Sequence, residues 1–233
     1  RVAGCLSFGA AAAILSVPDD RLYPMPPDMT FVEAAALPMN YLTSHFALVT
    51  RGGLRAGESV MVLGASGGVG LASVQVAAGL GAHVIAVVSS PERGAVAREA
   101  GAGDVVLRDE VPTAIRALTH DRGVDMVIDV VGGDLTNALR SLAPCGRLMA
   151  VGFASGDIPT VKVNRLLLTN TDVRGVESDY LWKEGLSRKA WDDLLDLAAG
   201  GFVKPVVCEG GSLDAYGSAL EDLAARSVVG RIV

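Results

Sequence analysis

Between Ser59 and Val151 the chain repeats one pattern, a short run of Val, Ile, Leu or Met followed by a stretch with helical spacing. The runs Ser59–Leu63, His83–Val88, Asp104–Leu107, Val124–Val131 and Arg147–Val151 predict strands, and Asp172–Val176 predicts a sixth. Between them Gly68–Leu80, Pro91–Ala100, Val111–Leu118 and Asp134–Leu142 predict helices, with Pro91 at a favoured first-turn position. Connections this short between parallel strands are right-handed crossovers, which place helices on both faces of one sheet. The expected fold class is therefore doubly wound α/β. Strands covered on both faces read as continuous apolar runs. The apolar window Leu71–Val88 is accordingly expected to be a buried helix, a turn at Gly79–Gly81 and a buried strand, not a membrane span.

The first strand runs directly into Gly64-Ala-Ser-Gly-Gly-Val-Gly70 and then into a helix. Glycines let a backbone approach phosphates, and a helix start offers free amides and the positive end of a dipole. Ala65, Ser66, Gly67, Gly68, Val69 and Gly70 are thus candidate contacts to a dinucleotide pyrophosphate. Gly67 and Gly70 fit the second and third glycines of the dinucleotide fingerprint, whereas its first position falls on Ala65. A glycine-rich turn that only packs a helix closely is the alternative.

The end of the second strand distinguishes the two nicotinamide cofactors, because an NAD site places a ribose-binding acid there. Here it reads Val87-Val-Ser-Ser-Pro-Glu-Arg93. Ser89, Ser90 and Arg93, joined by Arg108 after the third strand, suit a 2′-phosphate, so NADPH is expected over NADH. In the other reading Arg93 is an ordinary exposed helix charge and Glu92 holds a ribose. Ligands bind at the carboxyl ends of parallel strands, which adds the loops at Val131 and at Val151, Gly152 and Phe153. Phe153 fits a core position equally well.

The flanks differ from this alternation. Arg1–Val17 is strand-like, and Pro24, Pro26 and Pro27 form a connector. Near the C-terminus, Leu186, Ala190, Leu194 and Leu197 mark one amphipathic helix face, and Leu213, Tyr216, Leu220 and Leu223 another. The formal net charge of -6 argues against a nucleic-acid partner. Cys5, Cys145 and Cys208 stand far apart with no CxxC pair, which removes a disulfide frame and a structural zinc knuckle and fits a reducing, cytoplasmic setting. The chain opens without an initiator Met or a signal peptide and reads as a piece of something longer.

Ala34-Ala-Ala-Leu-Pro-Met-Asn-Tyr-Leu-Thr43, Gly64–Gly70, Gly152-Phe-Ala-Ser-Gly156 and Asn164-Arg-Leu-Leu-Leu168 together resemble the zinc-independent quinone oxidoreductase branch of the medium-chain dehydrogenase/reductase superfamily. The resemblance implies a GroES-like catalytic domain interrupted by a Rossmann domain. Residues 1–40 would then close the first catalytic segment, 41–176 bind the cofactor, and 177–233 return to the catalytic domain. It also implies about half a domain before Arg1, so that the chain is a fragment of a longer enzyme or a truncated product. A homodimer follows by the same analogy.

Zinc-dependent relatives carry a cysteine where this chain has Met39, and a thioether is a poor zinc ligand. No catalytic metal is expected. The resemblance places Asn40, Tyr41 and Thr43 near the nicotinamide, with helix packing as the other reading of Tyr41. It makes Asn164 and Arg231 phosphate or ribose contacts. His45 reads as structural, His83 as a strand start and His120 as a loop. The expected activity is hydride transfer from NADPH to a small quinone or α,β-unsaturated carbonyl. The alternatives are an enoyl-thioester reductase of polyketide type and an NADPH-binding fragment without catalysis.

Overall fold

The computed structural model describes residues 1–233. A hairpin-like pair, β1 (Val2–Gly4) and β2 (Leu22–Pro24), precedes α1 (Phe31–His45). Thr30 caps α1 through a reciprocal box with Glu33, which satisfies two otherwise unpaired amides. Then come β3 (Ser59–Leu63), α2 (Gly68–Gly79), β4 (His83–Val88), α3 (Pro91–Glu99), β5 (Asp104–Leu107), α4 (Thr113–Leu118), β6 (Val124–Asp129), α5 (Leu135–Arg140), β7 (Leu142–Ala150), α6 (Asn164–Thr169) and β8 (Asp172–Gly175). After α7 (Tyr180–Lys183) and α8 (Ser187–Ala199), the short strands β9 (Val207–Cys208) and β10 (Arg231–Ile232) flank α9 (Tyr216–Ala224).

Six strands form one parallel sheet in the order β5-β4-β3-β6-β7-β8. The order reverses at β3, so the crevice between the ends of β3 and β6 is the switch point of a doubly wound sheet. Alternation along each strand divides the core in two. Val60 and Val62 of β3 pack with Ala86, Ile128 and Met149 on the α1, α2 and α8 side. Met61 packs with Ile85, Val127 and Leu148 on the α4 and α5 side. Each such fully buried side chain contributes about 1.5–3 kcal/mol relative to exposure. Both faces of the sheet are therefore apolar, and only its two ends can carry polar chemistry.

Several boundaries differ from expectation. β7 begins at Leu142 instead of Arg147, because a bulge opposite Val124–Met126 lets the strand continue through Pro144 and Gly146. α4 starts at Thr113, since the residue before Pro112 is held extended, Val111 having φ −62° and ψ 135°. Of the strand-like stretch Arg1–Val17 only Val2–Gly4 pairs, and Phe8 and Ile14 lie exposed with no strand beside them. The face Leu213, Tyr216, Leu220 and Leu223 has its helical period but stays about half exposed. By contrast Ala190 and Leu194 are buried together with Trp191, whose ring stacks on Tyr23 at 4.8 Å. No helix is long and apolar enough to cross a membrane. α1 carries the chain without a break across the expected domain border at residues 40 and 41.

Candidate active site

At the end of β3 the chain turns at Gly64, which has φ +71° and whose absent Cβ would lie 2.8 Å from Val131. Gly70 allows α2 to sit on this turn, because a Cβ there would stand 2.1 Å from the Gly64 carbonyl oxygen. Gly67 is different. A Cβ at that position would meet nothing closer than 3.6 Å, so the fold itself does not require glycine there, and Gly67 is one of the residues that line the cleft. Gly67 caps α2 in extended conformation, and the amides of the first helical turn that follow have no intrahelical acceptor. Together with the helix dipole they make a place for an anion.

The expected first fingerprint position, Ala65, is fully buried and donates its amide to Val87, while the left-handed residue of the turn is Gly64. Ser66, Gly67 and Gly68 line the cleft. Ala65, Val69 and Gly70 lie behind or beside it.

The cleft has a volume of about 790 Å³. Ser89 after β4, Arg93 on the first turn of α3, and Arg108 and Asp109 after β5 form one side, and Val130, Val131 and Gly132 after β6 form another. Ser90 lies out of it, and its hydroxyl accepts from the Arg93 amide at the start of α3. Arg226, Val228 and Gly230, between α9 and β10, close the cleft. A concavity of about 770 Å³ on the flank of α4 holds Arg116, His120 and Arg140. No glycine turn or carboxyl end of a central strand reaches it.

Asp129, at the last position of β6, organises the loops. Its Oδ1 accepts from the amides of Val131 and Gly132, both at 2.9 Å, and its carbonyl accepts from Val151 and Gly152. Burial pushes its carboxyl above the usual range, although the two amides pull the other way. Val151 and Gly152 are thereby fixed behind the cleft, and Phe153 is half exposed against Gly132.

On α1, Asn40 is buried with its side-chain amide against Gly68, so close that a Cβ on Gly68 would lie 2.5 Å from Nδ2. Thr43 is buried and donates to the Met39 carbonyl at 2.6 Å. Tyr41 points away from the cleft. Its hydroxyl donates to Gln75 Oε1 at 2.7 Å, and burial raises its pKa well above the ordinary phenol value. Gln75 in turn holds both the amide and the carbonyl of Lys204, tying α1 and α2 to the returning chain.

His45 Nε2 sits 3.2 Å from Asp193, while Nδ1 is buried without a partner; burial holds its pKa below the usual value and Asp193 offsets part of that. His83 pairs with Asp104 at the starts of β4 and β5, and His120 lies in the turn after α4. Met39 is partly exposed, and no three His, Cys, Asp or Glu side chains come together in metal-binding geometry.

Asn164 is exposed at the start of α6, and Arg231 is exposed on β10; neither side chain lines the cleft. The arginine that does line it from this segment is Arg226, which has φ +56° and donates to the Ala154 carbonyl at 2.8 Å. The sequence reading missed Arg226 and Asp129. Asp129 had a local signal, an acid closing an apolar strand; Arg226 had none.

The family profile described as zinc-binding dehydrogenase matches residues 68–199. A bovine protein, quinone oxidoreductase-like protein 2, is 41% identical over 180 residues, covering 76% of this chain and 52% of its own length. The chain thus spans about half the length of that relative. The spectinabilin polyketide synthase system protein NorB of Streptomyces orinoci is 42% identical over 151 residues, 62% of this chain and 7% of that one. The quinone oxidoreductase from Thermus thermophilus, solved alone and in complex with NADPH, superposes with a TM-score of 0.87 at 34% identity, covering 99% of this chain and 75% of that chain. With the parallel sheet, its switch-point cleft and these likenesses together, the chain belongs to the zinc-binding dehydrogenase family, as a quinone oxidoreductase-like member of the medium-chain dehydrogenase/reductase superfamily.

Proposed function

We propose that the chain carries the cofactor-binding part of an NADPH-dependent oxidoreductase that reduces a quinone or an α,β-unsaturated carbonyl compound without zinc. The observation that carries this reading is the side of the cleft where Ser89 at the end of β4, Arg93 on the first turn of α3 and Arg108 after β5 line it together, with no acid on the end of β4 itself. Asp109 also lines it, but its side chain is almost fully exposed and stands 3.9 Å from Arg108. The glycine turn fits the group: the free amides of the first turn of α2 face a cleft whose volume is in the range of cofactor sites. The Thermus quinone oxidoreductase, solved with NADPH, supports the same cofactor.

When bound, NADPH would supply the hydride, and the protein would supply orientation and exclusion of water. Ser66, Gly67 and Gly68 would hold the pyrophosphate, and Ser89, Arg93 and Arg108 the 2′-phosphate, with Arg226 as a further cation. Asn40, seated on Gly68, and Thr43 would face the nicotinamide side. Tyr41 would act at one remove, fixing α1 on α2 through Gln75. Asn164 and Arg231 carry no part of this reading. The proposal of zinc independence rests on Met39, whose thioether replaces a cysteine ligand. A homodimer and a cytoplasmic location, the latter resting on three free cysteines, belong to the same proposal.

The likeness to a polyketide synthase protein favours a second acceptor class, an enoyl thioester. Fluorescence titration with NADPH and NADH in parallel, followed by NADPH oxidation with quinone, enone and enoyl-thioester acceptors, tests the reading. Tighter binding of NADPH with turnover of a quinone or enone is the expected result. Binding of neither nucleotide would end it, and a rate that depends on acyl-chain length would move it to the second class.

A further inference from the structure

Arg93 stands on the first turn of α3, yet its guanidinium makes no ion pair. Its charge goes to carbonyls and a hydroxyl distant in sequence. Nη1 donates to Ser66 Oγ at 3.1 Å and to the Val228 carbonyl at 3.3 Å, and Nη2 donates to the Arg226 carbonyl at 2.6 Å. Two acceptors belong to the segment Arg226–Gly230 and one to the glycine turn, so a single side chain joins the two.

The segment is tied to α9 through the amides of Arg226 and Ser227, which donate to the Leu223 and Asp222 carbonyls, and the Val229 carbonyl accepts from Cys208 Sγ. It has no helix or strand hydrogen-bond ladder of its own, and two of its residues take left-handed conformations, Arg226 with φ +56° and Gly230 with φ +81°. At its far end the Gly230 amide donates to the Ser66 carbonyl at 3.1 Å, and on its outer side Arg226 reaches the Ala154 carbonyl. Arg226, Val228 and Gly230 are nonetheless the wall that closes the cleft opposite the strand ends. A wall without its own ladder depends on such bonds to its neighbours, and hydrogen bonds from a charged donor are the stronger kind.

We propose that Arg93 is a positioning residue that clamps the segment Arg226–Gly230 onto the glycine turn, and so builds one wall of the dinucleotide cleft for phosphorylated and unphosphorylated cofactors alike. This rests on the dinucleotide reading of the cleft. Nε and the remaining Nη2 proton stay available for a 2′-phosphate, so the clamp and that contact are compatible. They differ in what the loss of Arg93 does. A residue that only reads the 2′-phosphate affects NADPH and spares NADH; a clamp affects both.

The test compares the unmodified chain with Arg93→Ala, Arg93→Lys and Ser66→Ala by hydrogen exchange at the Gly230 amide and by titration with NADPH and NADH. For Arg93→Ala the Gly230 amide should exchange about tenfold faster or more, from the loss of charge-assisted bonds. Affinity for NADH, which has no 2′-phosphate to lose, should fall at least about threefold, and that for NADPH further, so that the NADPH:NADH ratio falls as well. A lysine ammonium cannot span the same acceptors, so Arg93→Lys should keep the fast exchange while retaining the ratio. Ser66→Ala, which removes one acceptor and no charge, should give the same change in exchange at smaller amplitude. Loss of NADPH affinity alone with unchanged Gly230 exchange would overturn the clamp, as would no change in either readout. Failure of the unmodified chain to bind either nucleotide would instead remove the dinucleotide reading, and the exchange measurements would still decide the clamp.

Discussion

The two ends of the same parallel sheet are built on opposite principles. At the amino ends of β3, β6 and β7 nearly every polar group has a partner. Arg147, buried on β7, reaches the carbonyls of Gly52, Gly53 and Asp125 and forms a bidentate pair with Glu58 at 2.9 and 2.6 Å. Asp125 accepts from the amide and hydroxyl of Ser59 and pairs with Arg122. At the carboxyl ends the same strands finish in glycines, unpaired helix-start amides and an open cleft. Saturated polar groups hold strands in register but have nothing left to offer a ligand. The site stands where the fold leaves donors free.

This contrast can be broken from either end. Arg147→Ala should be the most damaging change, because it leaves the partly buried Glu58 carboxylate with the Arg55 amide alone and takes the guanidinium from the Gly52 and Gly53 carbonyls; a loss of about 3–5 kcal/mol is expected in urea unfolding. A loss below about 1 kcal/mol would mean that this end does not hold the sheet. Gly70→Ala follows. Its new methyl would lie 2.1 Å from a backbone oxygen that cannot move freely, so unfolding stability should drop by about 2–3 kcal/mol and nucleotide binding should go with it.

The lower end should also respond to acid. Burial alone would raise the Asp125 carboxyl, but Arg122 and Ser59 outweigh it and hold it down to about 2. A folded-state value below the unfolded one gives stability that is complete above the ordinary carboxylate value of 3.8 and disappears as the pH falls through about 2. Urea midpoints measured across that window should fall steeply in the unmodified chain and less steeply in Asp125→Asn. Equal slopes would show that the pairing is not energetically coupled to folding.

Gly67→Ala should have the smallest effect on stability and is the sharpest probe of the upper end. Its Cβ has room and its backbone is extended, so stability should stay within about 1 kcal/mol. Affinity for NADPH should nevertheless fall at least about tenfold, because the methyl would occupy the side on which the pyrophosphate is proposed to sit. Unchanged affinity would place the cofactor elsewhere.

The contrast also bears on what could be read from the chain. The strands Ser59–Leu63, His83–Val88 and Asp104–Leu107 were legible to the residue, since strands buried on both faces have few alternatives to an unbroken apolar run. The glycine turn was legible because Gly64 and Gly70 stand where a Cβ would collide with Val131 and with the turn's own backbone. The start of β7 was hidden by Pro144 and Gly146, which signal a turn locally but sit in a bulge that only the neighbouring β6 can create. The direction of Tyr41 was open for a similar reason. A tyrosine at that place on α1 could face the cleft or α2, and the Gln75 amide, anchored in turn by Lys204, draws its hydroxyl into the core.

The doubly wound sheet, its glycine turn and the cations that follow β4 and β5 are written in the chain itself, because periodicity, glycine and charge act over a few residues and survive in a one-dimensional reading. Three features come from the folded chain alone: Arg226 and not Arg231 lines the cleft, Asp129 pins two loops, and Arg93 joins the glycine turn to a segment more than 130 positions from it. The partners of the two arginines are chosen when β10 returns beside the glycine turn and Gly230 meets Gly67. A hydrogen bond depends on where two atoms arrive in space, and for residues this far apart that position is set by how the whole chain closes on itself.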